Sequence, residues 1–278
     1  MTMRTTLGFG MAALGFAVLL VASPVEMNAG QVTGQTVDID DDDLGGLVTS
    51  PNGPEAGVWV IAETTDLPTK FVKIVVTDDQ GRYLLPDLPS ADYSVWVRGY
   101  GLVDSPKVQA APGRIVNLTA VVAPNARAAA EYYPAGYWFS LLQAPDKSEF
   151  PGTGPKGNGI SPDMKSQAQW LRNVKSGSCW ACHQLGNKAT REIPSHILSE
   201  ADSHFGAWDL RVAMGPMASG MAGMFRGLGP QRKMFAEWTE RIAAGEAPEQ
   251  VPPRPTGVER NVVVTLWDWG TEHDGRTD

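Results

Sequence analysis

The chain is poor in cysteine, in histidine and in positive charge. It has two cysteines, Cys179 and Cys182, and four histidines in 278 residues. A framework of structural disulfides is therefore excluded, because two thiols three positions apart close only a tight, redox-type loop. Lys and Arg total 23 against 31 Asp and Glu, a formal net charge of −8. Without a basic footprint, nucleic acid is not an expected partner. Beyond the first thirty residues no apolar run approaches the length of a membrane span. No hydrolytic or acid–base constellation is visible, so an electron carrier or binding protein is expected rather than an enzyme.

The first residues read as an address. Arg4 supplies a positive start, Leu7 to Ala22 is apolar and uncharged, and Ala29-Gly30 is a plausible cleavage point. The run is short for a span and fits a secretory signal over residues 1–29. The mature protein is expected in the periplasm or secreted, and off the membrane once the signal is cut. Residues 30–43 follow as an acidic linker, with Asp38 and Asp40 to Asp43 read as a solvated run. A calcium loop is the sharper reading, but it lacks the alternation of ligand and spacer and the terminal Glu.

Residues 44–123 read as short strands rich in Val, Ile, Tyr and Trp, separated by turn residues. The strands are placed at Val58 to Ile61, Phe71 to Val76, Tyr83 to Leu85, Tyr93 to Val97 and Ile115 to Val122. Regular turn signals suggest a small β-sandwich. Gly46-Leu47-Val48, Ala56-Gly57-Val58-Trp59-Val60, Thr77-Asp78-Asp79-Gln80-Gly81-Arg82-Tyr83 and Leu88-Pro89-Ser90-Ala91-Asp92-Tyr93 carry a likeness. On them the segment resembles a carboxypeptidase regulatory-like domain. That resemblance implies a prealbumin-like (transthyretin or starch-binding) sandwich that binds or supports and does not catalyse. Some such domains take carbohydrate; Trp59, Trp96 and Tyr100 are the candidate stacking face, with core aromatics as the plainer reading.

Residues 124–160 form a Pro-, Gly- and Tyr-rich connector whose clustered aromatics, Tyr132, Tyr133, Tyr137 and Trp138, argue for packing on a neighbour. From residue 161 to 250 the period becomes helical. One helix is expected from a Ser161 cap, with Met164, Ala168, Leu171 and Val174 on its apolar face. A second follows Ser199, with Ala201, Phe205, Trp208 and Val212 inward. A third runs from Pro230 to Ala244, with Met234, Phe235, Trp238 and Ile242 inward.

Between the first two helices lies Cys179-Trp180-Ala181-Cys182-His183. Two thiols with a two-residue spacer can reach the two vinyl groups of one haem edge, and the next residue presents its imidazole to the iron. The pattern is read as covalent c-type haem attachment, with His183 as proximal ligand. A thioredoxin-like thiol pair lacks its βαβ context here. A zinc site from Cys179, Cys182, His196 and His204 would need an unusually long His–His interval and leaves His183 without a role.

The sixth ligand is sought in the run Met214, Met217, Met221 and Met224, where Gly220 permits close approach. Met221 is the first choice and Met217 the second; a bis-histidine site through His196 or His204 is the other possibility. Helical spacing of the methionines also fits plain core packing. Trp180, Trp208 and Trp238 are expected to line a dry pocket, and Arg172, Arg191 and Arg211 are candidates to meet the propionates. In its order of helix, haem motif, methionine segment and helix, this part resembles small monohaem cytochromes. The expected fold class is thus multidomain: an all-β sandwich followed by an all-α, cytochrome c-like haem domain.

Residues 251–278 form a proline-rich exit, a hydrophobic strand from Asn261 to Trp269 and a polar tail. A lone strand must find a partner. It either pairs with preceding parts or opens a further domain, and the whole order resembles the front of larger exported proteins that continue into a lyase-like β-propeller. The expected function is electron transfer through one haem c to a periplasmic redox partner, with the sandwich as docking or carbohydrate-binding module. The alternatives are a binding protein with haem as sensor, and the front part of a haem enzyme.

Overall fold

Alternation of apolar and polar residues gives the first half of the chain its strands, and the computed structural model describes residues 37–154, 156–176, 184–228 and 232–267. The strands in chain order are β1 (Leu44–Ser50), β2 (Gly53–Pro54), β3 (Trp59–Thr64), β4 (Phe71–Val76), β5 (Arg82–Leu85) and β6 (Tyr93–Arg98). Then come β7 (Leu102–Val103), β8 (Val108–Ala110), β9 (Arg114–Ile115), β10 (Leu118–Thr119) and β11 (Val121–Val122). A last strand, β12 (Val263–Trp267), comes after the helices.

Two sheets form. In one, β1 is central: its first half pairs antiparallel with β5 and parallel with β9, its second half antiparallel with β2 and parallel with β10. The other has the order β12-β4-β3-β6-β8, every pairing antiparallel. Leu44, Val48, Tyr83, Leu85 and Leu118 of the first meet Val60, Phe71, Val75, Tyr93, Val95 and Val97 of the second in one buried core. The polar atoms at its edge are satisfied: Tyr83 donates its hydroxyl to Val116 O (2.6 Å) and Tyr93 to Pro89 O (2.8 Å). Burial pushes the Tyr93 phenol up to about 12.

The turn into β5 is built by Asp78, whose Oδ1 accepts from the backbone of Gln80 (2.9 Å) and Arg82 (2.8 Å). Gly81 then takes φ +76°, a conformation that costs glycine nothing. Lys73 is the surprise of β4, because it lies on the core face at 7% exposure. Its ammonium donates to the carbonyls of Pro86 and Asp87, so the buried charge is solvated by a turn.

The helices are α1 (Ala126–Ala130), α2 (Ala135–Phe139), α3 (Gln167–Ser176), α4 (Lys188–Arg191), α5 (Ser195–Glu200), α6 (His204–Val212), α7 (Ala218–Gly227) and α8 (Lys233–Ala243). A β region over residues 44–122 is thus followed by a mainly helical one, the fold class expected. Helix starts differ from the sequence reading. Ser161 closes only a turn, accepting from Met164 N (2.9 Å), and α3 begins at Ser166, whose hydroxyl accepts from Gln169 N (3.2 Å). The buried face of α3 is accordingly Trp170 and Val174, and Ala168 is exposed. The expected inward face of α8 is observed, with Met234, Phe235, Trp238 and Ile242 all buried.

The aromatic residues before α3 share the helical core. Tyr133, Trp138 and Phe139 pack with Trp170, Trp208, Phe235 and Trp238. Trp138 donates to Ala130 O (2.9 Å) and Trp238 to Trp138 O (3.0 Å), so two fully buried indoles tie α1, α2 and α8 together. Arg127 of α1 caps α8, donating to Ile242 O (3.2 Å) and Glu246 O (2.7 Å).

The chain enters and leaves the helical region at one turn of the β region. Ala123 N donates to Gly101 O (3.0 Å), and Arg254 Nε donates to Tyr100 O (3.0 Å). Arg254 also meets buried Glu55 at 2.5 Å. From there the chain returns to the sandwich, where β12 lies beside β4 from Val263↔Val75 to Trp267↔Phe71. The helices are therefore inserted between two strands of the β region.

Candidate functional site

The attachment motif, with Cys179, Trp180, Cys182 and His183, lies outside the described residues. Its flanks are described, and both are anchored in one core. Trp170 and Val174 of α3 precede it, and Leu185 follows at 3% exposure. Gly186 presses on α2: a Cβ there would meet Ala135 O at 1.9 Å, which excludes any other residue without a backbone shift. Gly186 N donates to Thr190 Oγ1 (2.8 Å), and Asn187 caps α4 through Thr190 N (2.9 Å). Local hydrogen bonding and core burial thus fix the chain directly after the motif.

The methionine segment is helical from Ala218 onward: Met221 and Met224 lie on α7, Met217 is its N-cap residue and Met214 precedes it. Ala222 and Phe225 turn inward. Met217, Met221 and Met224 lie together on an adjoining face, at i, i+4 and i+7. They are not core: Met217 is 63% exposed and Met224 40%, with Met214 at 50% and Met221 half-buried. The glycines beside them keep that face low. A Cβ on Gly223 would meet nothing within 4 Å, and one on Gly220 only the Met217 methyl at 4.0 Å. Met234, by contrast, is buried in α8.

The histidines separate. His196 is exposed on α5, whereas His204, at the start of α6, is half-buried with its Nδ1 buried and without a hydrogen-bond partner among the described residues. Of the tryptophans expected around the haem, Trp208 and Trp238 have their donors engaged. Trp208 donates to Thr239 Oγ1 (3.1 Å) and stacks on Phe225 at 5.5 Å.

Of the three arginines, Arg191 is a core residue. Its side chain is 4% exposed, stacks over Trp138 at 4.2 Å and pairs with Glu131 at 2.7 Å. Arg211 donates to Glu192 O, and burial lowers its pKa. Arg172 is exposed on α3.

On the sandwich, Trp59 and Trp96 share one face of the β3–β6 sheet, Trp59 opposite Arg98 and Trp96 opposite Ile61. Trp96 is buried at 6% under the Lys107 ammonium, 4.1 Å from its ring. Trp59 instead meets Tyr100 edge-on at 4.9 Å, and Tyr100 meets Tyr133 at 5.9 Å, so these aromatics join the sandwich to the helices.

The acidic run does gather. Ligand oxygens of Asp40, Asp42 and Asp43 lie within 4.8 Å of one another. The Asp43 carboxylate is already engaged with the backbone N–H groups of Asp40 and Asp87, each at 3.2 Å. A side-chain hydrogen bond that the protonated Asp42 carboxyl makes to Asp40, with desolvation and the like charges of Asp40, Asp87 and Asp43, raises the pKa of Asp42. Beside them opens a cleft of about 720 Å³ lined by Asp41, Asp42, Asp66, Asp92, Ser90 and Pro112. Sequence reasoning missed this cleft, because Asp66 and Asp92 come from separate loops and meet only in the folded chain.

No family model matches the sequence, and no curated protein matches it. Among solved structures, the chain is similar to one from a type II cohesin–X-dockerin complex, a C-terminal interface mutant, from Acetivibrio cellulolyticus. Identity is 12% and the TM-score 0.24, over 48% of this chain and 93% of that one. A TM-score of that size assigns neither fold nor partner. No helix among the described residues is long and apolar enough to cross a membrane.

Proposed function

We propose that this chain is an exported electron-transfer protein carrying one haem c, attached through Cys179 and Cys182 and ligated by His183 and Met221. The pentapeptide from Cys179 to His183 carries the reading, because thiol, thiol and imidazole stand at the spacing that attachment requires. When bound, a haem supplies one-electron chemistry at its iron, and His–Met ligation places the couple at a raised potential.

The described residues suit such a group. The face of α7 offers soft thioether donors beside glycines that leave room for a flat ring. Met221, half-buried between the core side and the exposed side of that face, is the best-held donor of the row. Trp208 and Phe225 keep the adjoining core dry. The sandwich then serves as a docking or binding module for a periplasmic redox partner or a glycan.

A pyridine haemochrome spectrum of protein matured in a cytochrome-c-competent periplasm tests the first part. A c-type spectrum that survives denaturation is expected, and the C179A/C182A double variant should lose it entirely. If the wild-type protein holds no covalent haem, zinc or thiol chemistry takes precedence. The ligand is tested separately. Met221→Ala should abolish the weak ferric charge-transfer band of a Met-bound iron, at roughly 700 nm. Met217→Ala and Met224→Ala should retain it.

The cleft lined by Asp41, Asp42, Asp66 and Asp92 favours a second reading, in which the β region binds a hydroxyl-rich or cationic ligand and the haem acts as sensor. Carboxylates that accept paired hydroxyls are the usual chemistry of polar sugar sites. Retarded migration of the protein in polysaccharide gels, lost in Asp66→Asn, is the outcome that reading requires.

A further inference from the structure

We infer that β12 is a self-association edge, through which two copies of this chain pair antiparallel and join their sheets. The observation is independent of the haem. β12 ends the sheet β12-β4-β3-β6-β8, and among the described residues no strand pairs with its outer side. Such an edge presents a row of free N–H and C=O groups that only another strand satisfies fully.

The usual safeguards are missing from it. Val263, Val264, Leu266 and Trp267 are exposed at 49, 38, 52 and 44%, and the strand contains no charge and no proline. Its five-residue register with β4 runs without a bulge. The opposite edge shows the contrast. There β8 is only three residues long, and Pro106 and Lys107 precede it.

What fits β12 is a strand that is uncharged and apolar on both faces. β12 of a second copy is such a strand. Antiparallel pairing about Thr265 sets Val264 against Leu266 and Val263 against Trp267, with Thr265 facing Thr265. Apolar and Thr–Thr cross-strand pairs of this kind are favourable, and no like charges meet. A two-fold axis through Thr265 makes the contact closed and isologous, so it stops at two copies. A five-residue strand pair covers well under the roughly 800 Å² per partner of a stable complex, so the dimer is a weak one.

Sedimentation velocity of the full chain, from about 1 to 300 μM, tests this in the micromolar range expected for so small a contact. A reversible monomer–dimer equilibrium is expected. Val264→Lys, which pairs with Ile74 on the outer face of the sheet, should weaken it at least tenfold, because each ammonium would be set against Leu266 of the other copy. Val258→Lys, 82% exposed and outside the strand, should leave it unchanged. Protein that stays monomeric throughout the range overturns the inference, and so does a dimer that both substitutions weaken equally. Unchanged melting of both variants would show that their effect lies in association.

Discussion

Trp238→Ala is expected to lower the unfolding free energy by about 3–5 kcal/mol, the cost of emptying a large aromatic site in a core that cannot fully collapse. The side chain is fully buried on α8, with Phe235 at 6.5 Å edge-on. It also holds the Trp138 carbonyl, which the substitution leaves without that donor inside the core. Since whole domains are stable by about 5–15 kcal/mol, this single change should remove a large part of the total. Urea unfolding followed by tryptophan fluorescence reads it. Trp238→Phe separates the two causes: it keeps most of the volume and loses the hydrogen bond, for about 1–3 kcal/mol. If the alanine variant lost less than the phenylalanine variant, the indole would not be a core anchor.

Arg254→Ala should cost about 3–5 kcal/mol, through the charge it strands. Glu55 is 7% exposed at its side chain, and Arg254 is its ion-pair partner. Removing the guanidinium leaves a buried carboxylate without compensation. It also frees the carbonyls of Tyr100 and Ala56, which Arg254 reaches at 3.0 and 3.3 Å. The pair should therefore behave non-additively. Glu55→Gln in the Arg254→Ala background should recover stability, although Glu55→Gln alone destabilises. Denaturant melts of the four proteins in a double-mutant cycle measure the coupling, and additive losses would show that the pair is only a surface contact.

The strands with strong local signals were legible, whereas β1 and β8 were not placed and the single strand expected from Ile115 to Val122 is three short ones, β9, β10 and β11. The alternation in Tyr93 to Val97 and the turn residues from Asp78 to Gly81 placed β5 and β6 within a residue of their observed bounds. The third long helix was legible for the same reason, its apolar side chains recurring at the helical period. The first was misplaced because two serines can cap it, and burial of Trp170, a tertiary effect, decides between them. The methionine segment hid a helix because Pro216, Gly220 and Gly223 are poor helix formers, although α7 runs from Ala218 to Gly227. Met217, Met221 and Met224 nevertheless had the right spacing.

Long-range pairing was not legible at all. Nothing near Asn261 says that the strand after it will lie on β4, nor that Arg254 will meet a carboxylate 199 residues earlier. For the candidate site, the sequence supplied the chemistry, thiols and imidazole at a readable spacing. Which methionines stay out of the core appeared only with the packing of Ala222 and Phe225.

The insertion of the helices between β11 and β12 sets a timetable for biosynthesis. A chain made from its N terminus displays β1 to β11 first, then the helical region, and β12 last. The sheet edge at β4, with Phe71 and Val75, therefore waits uncovered until the whole helical region has emerged. Because Tyr100 and Gly101 hold both ends of that region, its folding brings Arg254 to Glu55 and delivers β12 to its place. Closing so long a loop costs little more entropy for its extra length, since the cost grows only with the logarithm of the number of residues. A helical region that failed to fold would leave the final strand undelivered and two adhesive strands exposed, so successful maturation of the helices licenses completion of the sandwich.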